Sequence, residues 1–178
     1  FHKNLVKQFY NYKNKEIIDH SIEKSLNSKL FKKILIVTNK PNYFKKKNYP
    51  KSISVIKGGK ERSDSSLKGL KYLRKYKPKN VLIHDAARPD FSIKLLNNLI
   101  KQLKNNKAVI PFIYPNDTIK YKVNNQVFNL NRNKAFLTQT PQAFRFKDLY
   151  ELSIKQKNII TDEATLFINN NHKVKFIY

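Results

Sequence analysis

The stretch Val81-Leu82-Ile83-His84-Asp85-Ala86-Ala87-Arg88-Pro89 decides the fold, because a short apolar run passes directly into charged residues. A brief run of Val, Leu and Ile is typical of a buried strand. The charged residues that follow then lie at its carboxyl end, where open α/β sheets bind ligands. The Asp85 carboxylate could hold sugar hydroxyls or a hydrated Mg²⁺ there. The alternative is a surface ion pair between Asp85 and Arg88, and His84 is more typical of a packed histidine than of a catalyst.

The rest of the chain alternates between similar apolar runs and amphipathic stretches. We predict further strands at residues 34–37, 53–56 and 108–110, the last of them ended by Pro111. One-sided apolar patterns predict helices at 17–26, 63–74, 93–103 with Ser92 as N-cap, and 147–156. A final helix is expected near residues 161–164, with Thr161 as N-cap. This alternation implies right-handed crossovers, a mostly parallel sheet and an α/β fold.

Residues 117–137 break this pattern. The segments 120–123 and 126–130 flank Asn124-Asn125, which is an acceptable hairpin turn. Such a hairpin is too polar to enter the core. We therefore expect it to project from the domain.

Composition bounds the class of protein. The 178 residues are 40% hydrophobic, which suits one domain, and the absence of cysteine excludes disulfides, thiolate metal sites and a cysteine nucleophile. The longest apolar runs are far shorter than the roughly 20 residues that a membrane helix needs. The formal net charge of +25 could indicate nucleic-acid binding. However, the lysines are scattered, and a bias toward A/T-rich codons accounts for them without any partner.

The segment from Gly58 to Ser65 lies between a predicted strand and a predicted helix. Two glycines let the backbone approach a ligand closely, and the helix that follows offers unpaired N–H donors. An ordinary strand-to-helix turn is an equally good interpretation of this segment alone.

Several motifs occur together in the order of one enzyme family. They are Lys7-Gln8-Phe9, Gly58-Gly59-x-x-Arg62-x-x-Ser65, His84-Asp85-Ala86-Ala87-Arg88-Pro89, Asp117-Thr118-Ile119-Lys120, Arg132, Gln139-Thr140-Pro141-Gln142 and Thr161-Asp162-Glu163-Ala164. Over nearly its whole length the chain resembles the 2-C-methyl-D-erythritol 4-phosphate cytidylyltransferases. The resemblance implies a Rossmann-like nucleotidyltransferase fold with helices on both faces of a twisted sheet and a projecting β-hairpin arm at 117–137. It also implies a cytoplasmic homodimer with no nucleic-acid or membrane partner.

The resemblance further implies a reaction and roles for individual residues. A phosphate oxygen of methylerythritol phosphate would attack the α-phosphorus of CTP, with Mg²⁺ bridging the triphosphate and no metal-ligating residue assigned. The resemblance makes Lys7 the catalytic residue. The residues implied to bind the nucleotide are Gly58, Gly59, Arg62, Ser65, Asp85 and Ala86. The residues implied to bind the substrate are Asp85, Arg88, Thr118, Arg132 and Thr140, of which Thr118 and Arg132 belong to the arm and reach the partner subunit's site.

The resemblance also implies flanking motifs, namely a glycine-rich loop ahead of Lys7 and a second catalytic lysine after Tyr178. We therefore expect residues 1–178 to be a single domain, apparently truncated at both ends and poorly active alone. A further enzyme domain could follow downstream. The alternatives left open are a ribitol-5-phosphate cytidylyltransferase, which shares the HDAARP and QTPQ patterns, and a non-enzymatic basic domain that binds nucleic acid.

Overall fold

The chain forms an α/β fold, seen in a computed structural model that describes residues 7–156 and 158–178. Its helices are α1 Ile17–Asn27, α2 Pro41–Lys45, α3 Arg62–Leu73, α4 Ile93–Gln102, α5 Phe146–Lys155 and α6 Ala164–Asn169. Its strands are β1 Asn11–Tyr12, β2 Lys15–Glu16, β3 Ile34–Thr38, β4 Ile53–Lys57, β5 Asn80–Ile83, β6 Ala108–Ile113, β7 Ile119–Val123, β8 Gln126–Leu130, β9 Leu137–Thr138, β10 Gln142–Arg145 and β11 Lys175–Ile177. Short 3₁₀ helices lie at Lys7–Phe9, Arg74–Tyr76 and Arg132–Lys134.

The larger sheet has the strand order β11-β6-β10-β5, and β9 extends it by pairing with β6. Strand β11 runs parallel to β6, whereas β10 lies antiparallel between β5 and β6. Strands β3 and β4 form a separate parallel pair. The predicted α/β class is confirmed, and the antiparallel strand β10 makes the sheet mixed.

Helices cover both faces of the larger sheet. Successive residues of a strand point in opposite directions, so alternate side chains of one strand can pack against both helix layers. Ala108 and Ile110 of β6 pack with α3, α5 and α6 on one face, in a cluster centred on Phe144 and Leu149. Val109 of β6 faces the other way and packs against α4. This alternation turns one short apolar run into the contact surface for two helix layers.

Two predicted boundaries are wrong by more than one residue. Strand β6 continues through Pro111 to Ile113, and the Pro111 carbonyl accepts a hydrogen bond from the Gln139 N–H at 2.7 Å. Proline lacks the donor but keeps its acceptor, so it can remain in this strand. Helix α6 begins at Ala164, and its first turn is held by the Asp162 carboxylate, which accepts from the Thr165 N–H at 3.1 Å, rather than by Thr161. By contrast, Ser92 caps α4 as predicted, accepting from the Leu95 N–H at 3.0 Å.

The predicted hairpin is confirmed as strands β7 and β8. They pair antiparallel from Ile119–Leu130 to Val123–Gln126, and Asn124 and Asn125 both have positive φ, at 46° and 68°. Two successive left-handed residues form the turn that fits the twist of a two-residue hairpin. Every residue of the two strands except Ile119 is exposed. The hairpin therefore projects from the fold, and the chain rejoins the sheet at β9.

Among residues 7–156 and 158–178, no helix combines the length and the apolar character needed to cross a membrane.

Candidate active site

The candidate site lies at the rim formed by the carboxyl ends of β4 and β5. The loop after β4 carries Gly58 and Gly59, and the loop after β5 carries Asp85 and its neighbours. The segment that leads into β10 adds Thr140. The fold thus brings three motifs from distant parts of the sequence to one edge, as expected for an open α/β sheet.

The glycine loop is shaped by close packing rather than by unusual backbone angles. A Cβ at Gly59 would lie 2.2 Å from the Asp64 Cβ, and a Cβ at Gly58 would lie 2.9 Å from the Ser65 Oγ. Neither glycine has positive φ. The Ser65 hydroxyl accepts a hydrogen bond from the Gly59 N–H at 3.0 Å, and Lys68 donates to the Gly58 carbonyl at 2.9 Å. Only glycine therefore fits a loop held this tightly against the start of α3.

Arg62 joins three elements of the rim. Its two terminal nitrogens each donate to one carboxylate oxygen of Glu163 at 2.9 Å, and its Nε donates to Asp85 at 3.4 Å. The Glu163 side chain is 1% exposed, so its charge is compensated by this paired contact. Although partial burial alone would lower the pKa of Arg62, the hydrogen bonds and charge of Glu163 raise it overall. Arg62 therefore stays charged and fixes the start of α3 to the segment before α6.

The Asp85 carboxylate contacts two arginines, Arg62 and Arg88. Its second carboxylate oxygen lies 3.3 Å from the Arg88 Nε, and a terminal nitrogen of Arg88 donates to the Gln139 side chain at 2.7 Å. The predicted surface pair between Asp85 and Arg88 is thus present, but it belongs to a chain of contacts that includes Arg62 and Gln139. The Asp85 side chain remains 37% exposed, so it can still meet a ligand.

His84 and Thr140 are hydrogen-bonded to each other next to Asp85 at the rim. The Thr140 hydroxyl accepts from the Asp85 N–H at 3.2 Å and lies 3.0 Å from the His84 Nδ1. The Thr140 hydroxyl is thus hydrogen-bonded both to the Asp85 backbone and to the His84 ring. Burial lowers the pKa of His84 to about 4, and its ring packs edge-on against Phe91. His84 is therefore a neutral, packed histidine that orients Thr140.

The segment before α6 is ordered by a second carboxylate. Asp162 accepts hydrogen bonds from Gln142 at 3.0 Å and from Thr138 at 3.2 Å, besides its contacts with Thr165. Burial by itself would raise the pKa of Asp162, but these hydrogen bonds lower it overall. The ionised carboxylate ties β9, β10 and α6 together behind the rim.

The remaining predicted site residues lie elsewhere. Thr118 and Arg132 are both at the exposed base of the hairpin, where Arg132 donates to the Asn116 carbonyl at 2.7 Å. Within the part of the chain that the structure describes, no hydrogen bond or ion pair joins this base to the rim. Lys7 is exposed in the 3₁₀ helix that leads toward α1. Ala86 lies in the rim loop, and its carbonyl accepts from the Ser21 hydroxyl of α1 at 3.4 Å.

The rim does not fit a protein-held magnesium ion. In the described ranges, no group of three His, Asp or Glu side chains is placed to coordinate a metal. Asp85 is a half-buried carboxylate of the rim, and two guanidinium groups already engage its oxygens. We therefore assign no protein ligand to Mg²⁺.

The sequence pattern does not predict two contacts that build the site. It places Glu163 only within the motif near the start of a helix, although Glu163 is the buried partner of Arg62. It predicts a packed His84, but the contact of His84 with Thr140 joins residues 56 positions apart and does not follow from spacing. The family motifs that contain both residues are the signal that could have identified them.

The chain is similar to known proteins over almost its whole length. Residues 1–177 match the family described as "IspD: 2-C-methyl-D-erythritol 4-phosphate cytidylyltransferase". The chain is 46% identical over 179 residues to the bifunctional enzyme IspD/IspF of Pelagibacter ubique, covering 99% of this chain and 48% of that protein. It therefore spans about half the length of that relative. It is also 35% identical to the 2-C-methyl-D-erythritol 4-phosphate cytidylyltransferase of Clostridioides difficile, covering 96% of this chain and 76% of that protein.

Solved structures show the same fold. The 4-diphosphocytidyl-2C-methyl-D-erythritol synthase of Anaerococcus prevotii superposes with a TM-score of 0.86 at 28% identity, covering 96% of this chain and 82% of that one. The bifunctional IspDF of Campylobacter jejuni gives 0.84 at 28% identity, covering 99% of this chain and 45% of that one. A match along almost the entire chain, with the rim motifs assembled in space, identifies the family. The chain belongs to the 2-C-methyl-D-erythritol 4-phosphate cytidylyltransferase family.

Proposed function

We propose that this chain carries the site that transfers CMP from CTP to 2-C-methyl-D-erythritol 4-phosphate, releasing pyrophosphate. The observation that carries the proposal is the rim, where the glycine loop, Asp85, Arg88 and Thr140 meet at the carboxyl ends of two strands. The family match supports methylerythritol phosphate over ribitol phosphate and an enzyme over a nucleic-acid-binding domain. We expect the enzyme to act in the cytoplasm.

The reaction needs positioning and charge neutralisation more than covalent chemistry. A substrate phosphate oxygen attacks the α-phosphorus in line, a new P–O bond forms, and the bond to the pyrophosphate oxygen breaks. Asp85, with its carboxylate fixed by Arg62 and Arg88, accepts hydrogen bonds from ligand hydroxyls. Thr140, oriented by His84, contacts the substrate at the same edge. Both side chains are therefore held in place before the ligand arrives.

The glycine loop is proposed to read the cytosine base. The Ser65 hydroxyl already accepts a hydrogen bond from the Gly59 N–H, so the role of Ser65 is to hold the loop in shape, together with Lys68. The remaining backbone groups of the loop are then presented in a fixed arrangement. Fixed polar groups penalise a base that offers the wrong donors and acceptors.

Arg62 acts on the nucleotide indirectly in this proposal. Both terminal nitrogens of Arg62 are occupied by Glu163, so the contribution of Arg62 is to hold Asp85 and the loop in register.

Lys7 is proposed to stabilise the negative charge that develops on the α-phosphate, because its ammonium group is positively charged. We expect Mg²⁺, when present, to be held by phosphate oxygens and water, which is its usual environment in nucleotide sites.

We also propose a homodimer in which the hairpin arm completes the partner's site. Thr118 and Arg132 lie at the base of a hairpin whose strands are exposed, and an isolated two-stranded hairpin is marginally stable in water. Tyr121 and Phe128 stack across it with centroids 5.3 Å apart, and both rings are exposed. A second exposed aromatic pair is formed by Tyr114, which follows β6, and Phe136, which precedes β9. A two-fold partner would cover both surfaces symmetrically.

The proposed function predicts selective turnover of CTP. The full polypeptide that the gene encodes should convert CTP and methylerythritol phosphate to 4-diphosphocytidyl-2-C-methyl-D-erythritol and pyrophosphate. Its kcat/KM should be on the order of 100-fold higher with CTP than with UTP, because one exchanged donor in a hydrogen-bonded site is costly. Phosphorus NMR of the product measures the turnover. Equal kcat/KM for UTP and CTP would contradict the role of the glycine loop, and a preference for ribitol 5-phosphate would contradict the substrate.

His84 predicts a specific dependence of stability on pH. Its pKa falls from 6.5 to about 4 on folding, so the unfolded chain binds a proton that the native chain rejects. The stabilisation is therefore complete above about pH 6.5 and is lost as the pH falls toward 4, by about 3 kcal/mol in total. Asp85, Arg88 and Lys24 are the charged groups that act on the ring.

Urea unfolding at pH 7 and pH 4.5 measures this effect. His84→Asn keeps a side chain that can hydrogen-bond to Thr140 but cannot titrate, so its loss of stability over that range should be smaller than in the wild type. His20→Asn is the matched control, because His20 is half-buried on α1 outside the rim and its Nε2 donates to the Tyr12 carbonyl at 2.7 Å. Parallel pH profiles for the wild type and His84→Asn would rule out a neutral, buried His84.

The shared arm predicts complementation between inactive variants. Arg132→Ala and Asp85→Ala, each in the full polypeptide, remove groups from the arm and from the rim. In a mixed dimer, one site inherits both defects and the other inherits neither. Random subunit exchange should restore about one quarter of the wild-type activity per subunit, because half of the dimers are mixed. No recovery after verified exchange would place Arg132 and Asp85 in the same subunit's site.

A further inference from the structure

The 3₁₀ helix that carries Lys7 is too short to hold its own position. It spans only Lys7–Phe9, none of its residues is fully buried, and the Tyr10 N–H closes it by donating to the Lys7 carbonyl at 3.2 Å. A single turn of helix is not stable by itself, because few hydrogen bonds offset the cost of ordering its backbone. The place of this turn is therefore set by side-chain contacts with the rest of the fold.

Phe9 supplies such contacts. Its ring lies edge-on to Tyr43 with centroids 5.2 Å apart, and it packs against Phe44 at 5.8 Å. The Lys40 ammonium lies 5.3 Å from the centroid of the same ring. Aromatic and cation–π contacts of this kind depend on the direction of the ring as well as on its burial. Since Phe44 is only 1% exposed, Phe9 docks the 3₁₀ helix on a fixed part of α2.

Helix α2 has only five residues, and two carboxylates at the start of α1 hold it in place. The ammonium of Lys47, just after α2, donates to Glu16 at 2.9 Å and to Asp19 at 2.8 Å. The Tyr43 hydroxyl donates to the same Glu16 carboxylate. Although partial burial alone would lower the pKa of Lys47, its hydrogen bonds to Asp19 and Glu16 raise it overall, so the ammonium stays charged. The surface against which Phe9 packs is therefore fixed to α1.

The same packing reaches the candidate active site. Phe9 and Ala86 of the rim loop both pack against one buried apolar cluster, which consists of Ile18, Ile22, Ile36, Phe44 and Ile53. Helix α1 also contacts the rim loop directly, since Ser21 donates to the Ala86 carbonyl at 3.4 Å and Lys24 to the Pro89 carbonyl at 2.7 Å. One rigid cluster thus supports both the Lys7 segment and the rim.

We propose that Phe9 is a positioning residue for the transfer reaction, because its ring, fixed by Tyr43 and Phe44, sets where the Lys7 ammonium lies relative to the rim. Phe9 acts through Lys7 and needs no contact with the reacting atoms. Lys47 contributes one step further away, by fixing Tyr43. The proposal rests on the proposed function, in which Lys7 stabilises the charge that develops on the α-phosphate.

A displaced Lys7 affects the transition state more than the bound substrate. The charge that Lys7 meets grows only as the new P–O bond forms, so a misplaced ammonium lowers kcat and leaves the binding of CTP nearly unchanged. A shift of about 1 Å in a catalytic group can cost on the order of 100-fold in rate. The expected signature is therefore a fall in kcat at a constant KM for CTP.

Phe9→Leu in the full polypeptide tests this signature, because it keeps an apolar side chain in the cluster but removes the ring. We expect kcat to fall about 10-fold while the KM for CTP stays within about twofold of the wild type. Phe9→Tyr keeps the ring and should retain most of the wild-type kcat. Tyr10→Leu is the matched control, since Tyr10 is the next residue and is 53% exposed, and its kcat should not change.

A double-mutant cycle with Lys7→Ala separates positioning from a general structural role. When Lys7 is absent, there is no ammonium left to displace, so Phe9→Leu should change the kcat of Lys7→Ala by less than about twofold. Urea unfolding of every variant gives the folded fraction by which kcat is divided. The same loss of kcat in both backgrounds, or equal losses for Phe9→Leu and Tyr10→Leu, would overturn the positioning role.

The cycle also distinguishes this proposal from the function on which it rests. Wild-type kcat in Lys7→Ala would remove Lys7 from the reaction, and the positioning role of Phe9 would fall with it. A low kcat in Lys7→Ala together with an additive effect of Phe9→Leu would leave the proposed function intact and overturn the positioning role alone.

Lys47→Met supplies a second variant in case Phe9→Leu folds poorly. It keeps an unbranched stem of similar length but removes the contacts with Glu16 and Asp19. We expect kcat to fall about threefold at a constant KM for CTP, and this fall to disappear in the Lys7→Ala background. An unchanged kcat in Lys47→Met, or a fall that persists without Lys7, would contradict the proposed route from Lys47 through Tyr43 and Phe9 to Lys7.

Discussion

The paired contact between Arg62 and Glu163 is the interaction on which the rest of the rim depends. It joins residues 101 positions apart, and it brings the start of α3 to the segment before α6. The Glu163 carboxylate is almost fully buried, and a charge in that position requires a partner. The same guanidinium reaches Asp85 through its Nε, so one side chain sets the position of the carboxylate that faces the ligand. The position of the glycine loop depends on the same contact, because Arg62 is the first residue of α3 and Gly59 packs against the first turn of that helix.

Behind this contact the rim is held by hydrogen bonds rather than by apolar packing alone. The Thr140 hydroxyl accepts from the Asp85 N–H and is hydrogen-bonded to the His84 Nδ1, so these contacts join the loop after β5 to the segment before β10. Asp162 does the same for β9, β10 and α6. Such networks hold binding groups in place before a ligand arrives, which lowers the entropic cost of ordering them. A reaction that consists mainly of positioning two anions benefits directly from this rigidity.

Local patterns predicted most of the fold. Short apolar runs identified β3, β4, β5 and β6, and Ser92 identified the start of α4, because strand burial and helix capping are decided by nearby residues. Strand β10 was not predicted, since Gln142 looks polar in sequence and becomes a core residue only through its contact with Asp162. The motifs located the rim, but not the contacts of Glu163 and His84. Both contacts join residues more than 50 positions apart, and spacing along the chain carries no information on such pairs.

The most direct test of this account is a double-mutant cycle on Arg62 and Glu163, with the free energy of unfolding measured in urea for Arg62→Ala, Glu163→Ala and the double variant. Arg62→Ala leaves the buried Glu163 charge without its partner, Glu163→Ala leaves Arg62 with Asp85 alone, and the double variant has neither charge. The account predicts a coupling of about 2 kcal/mol, below the roughly 3–5 kcal/mol lost when a fully buried pair is broken, because Arg62 is partly exposed. Additive effects, within about 0.5 kcal/mol, would show that the two residues act independently and would contradict a rim organised by this pair.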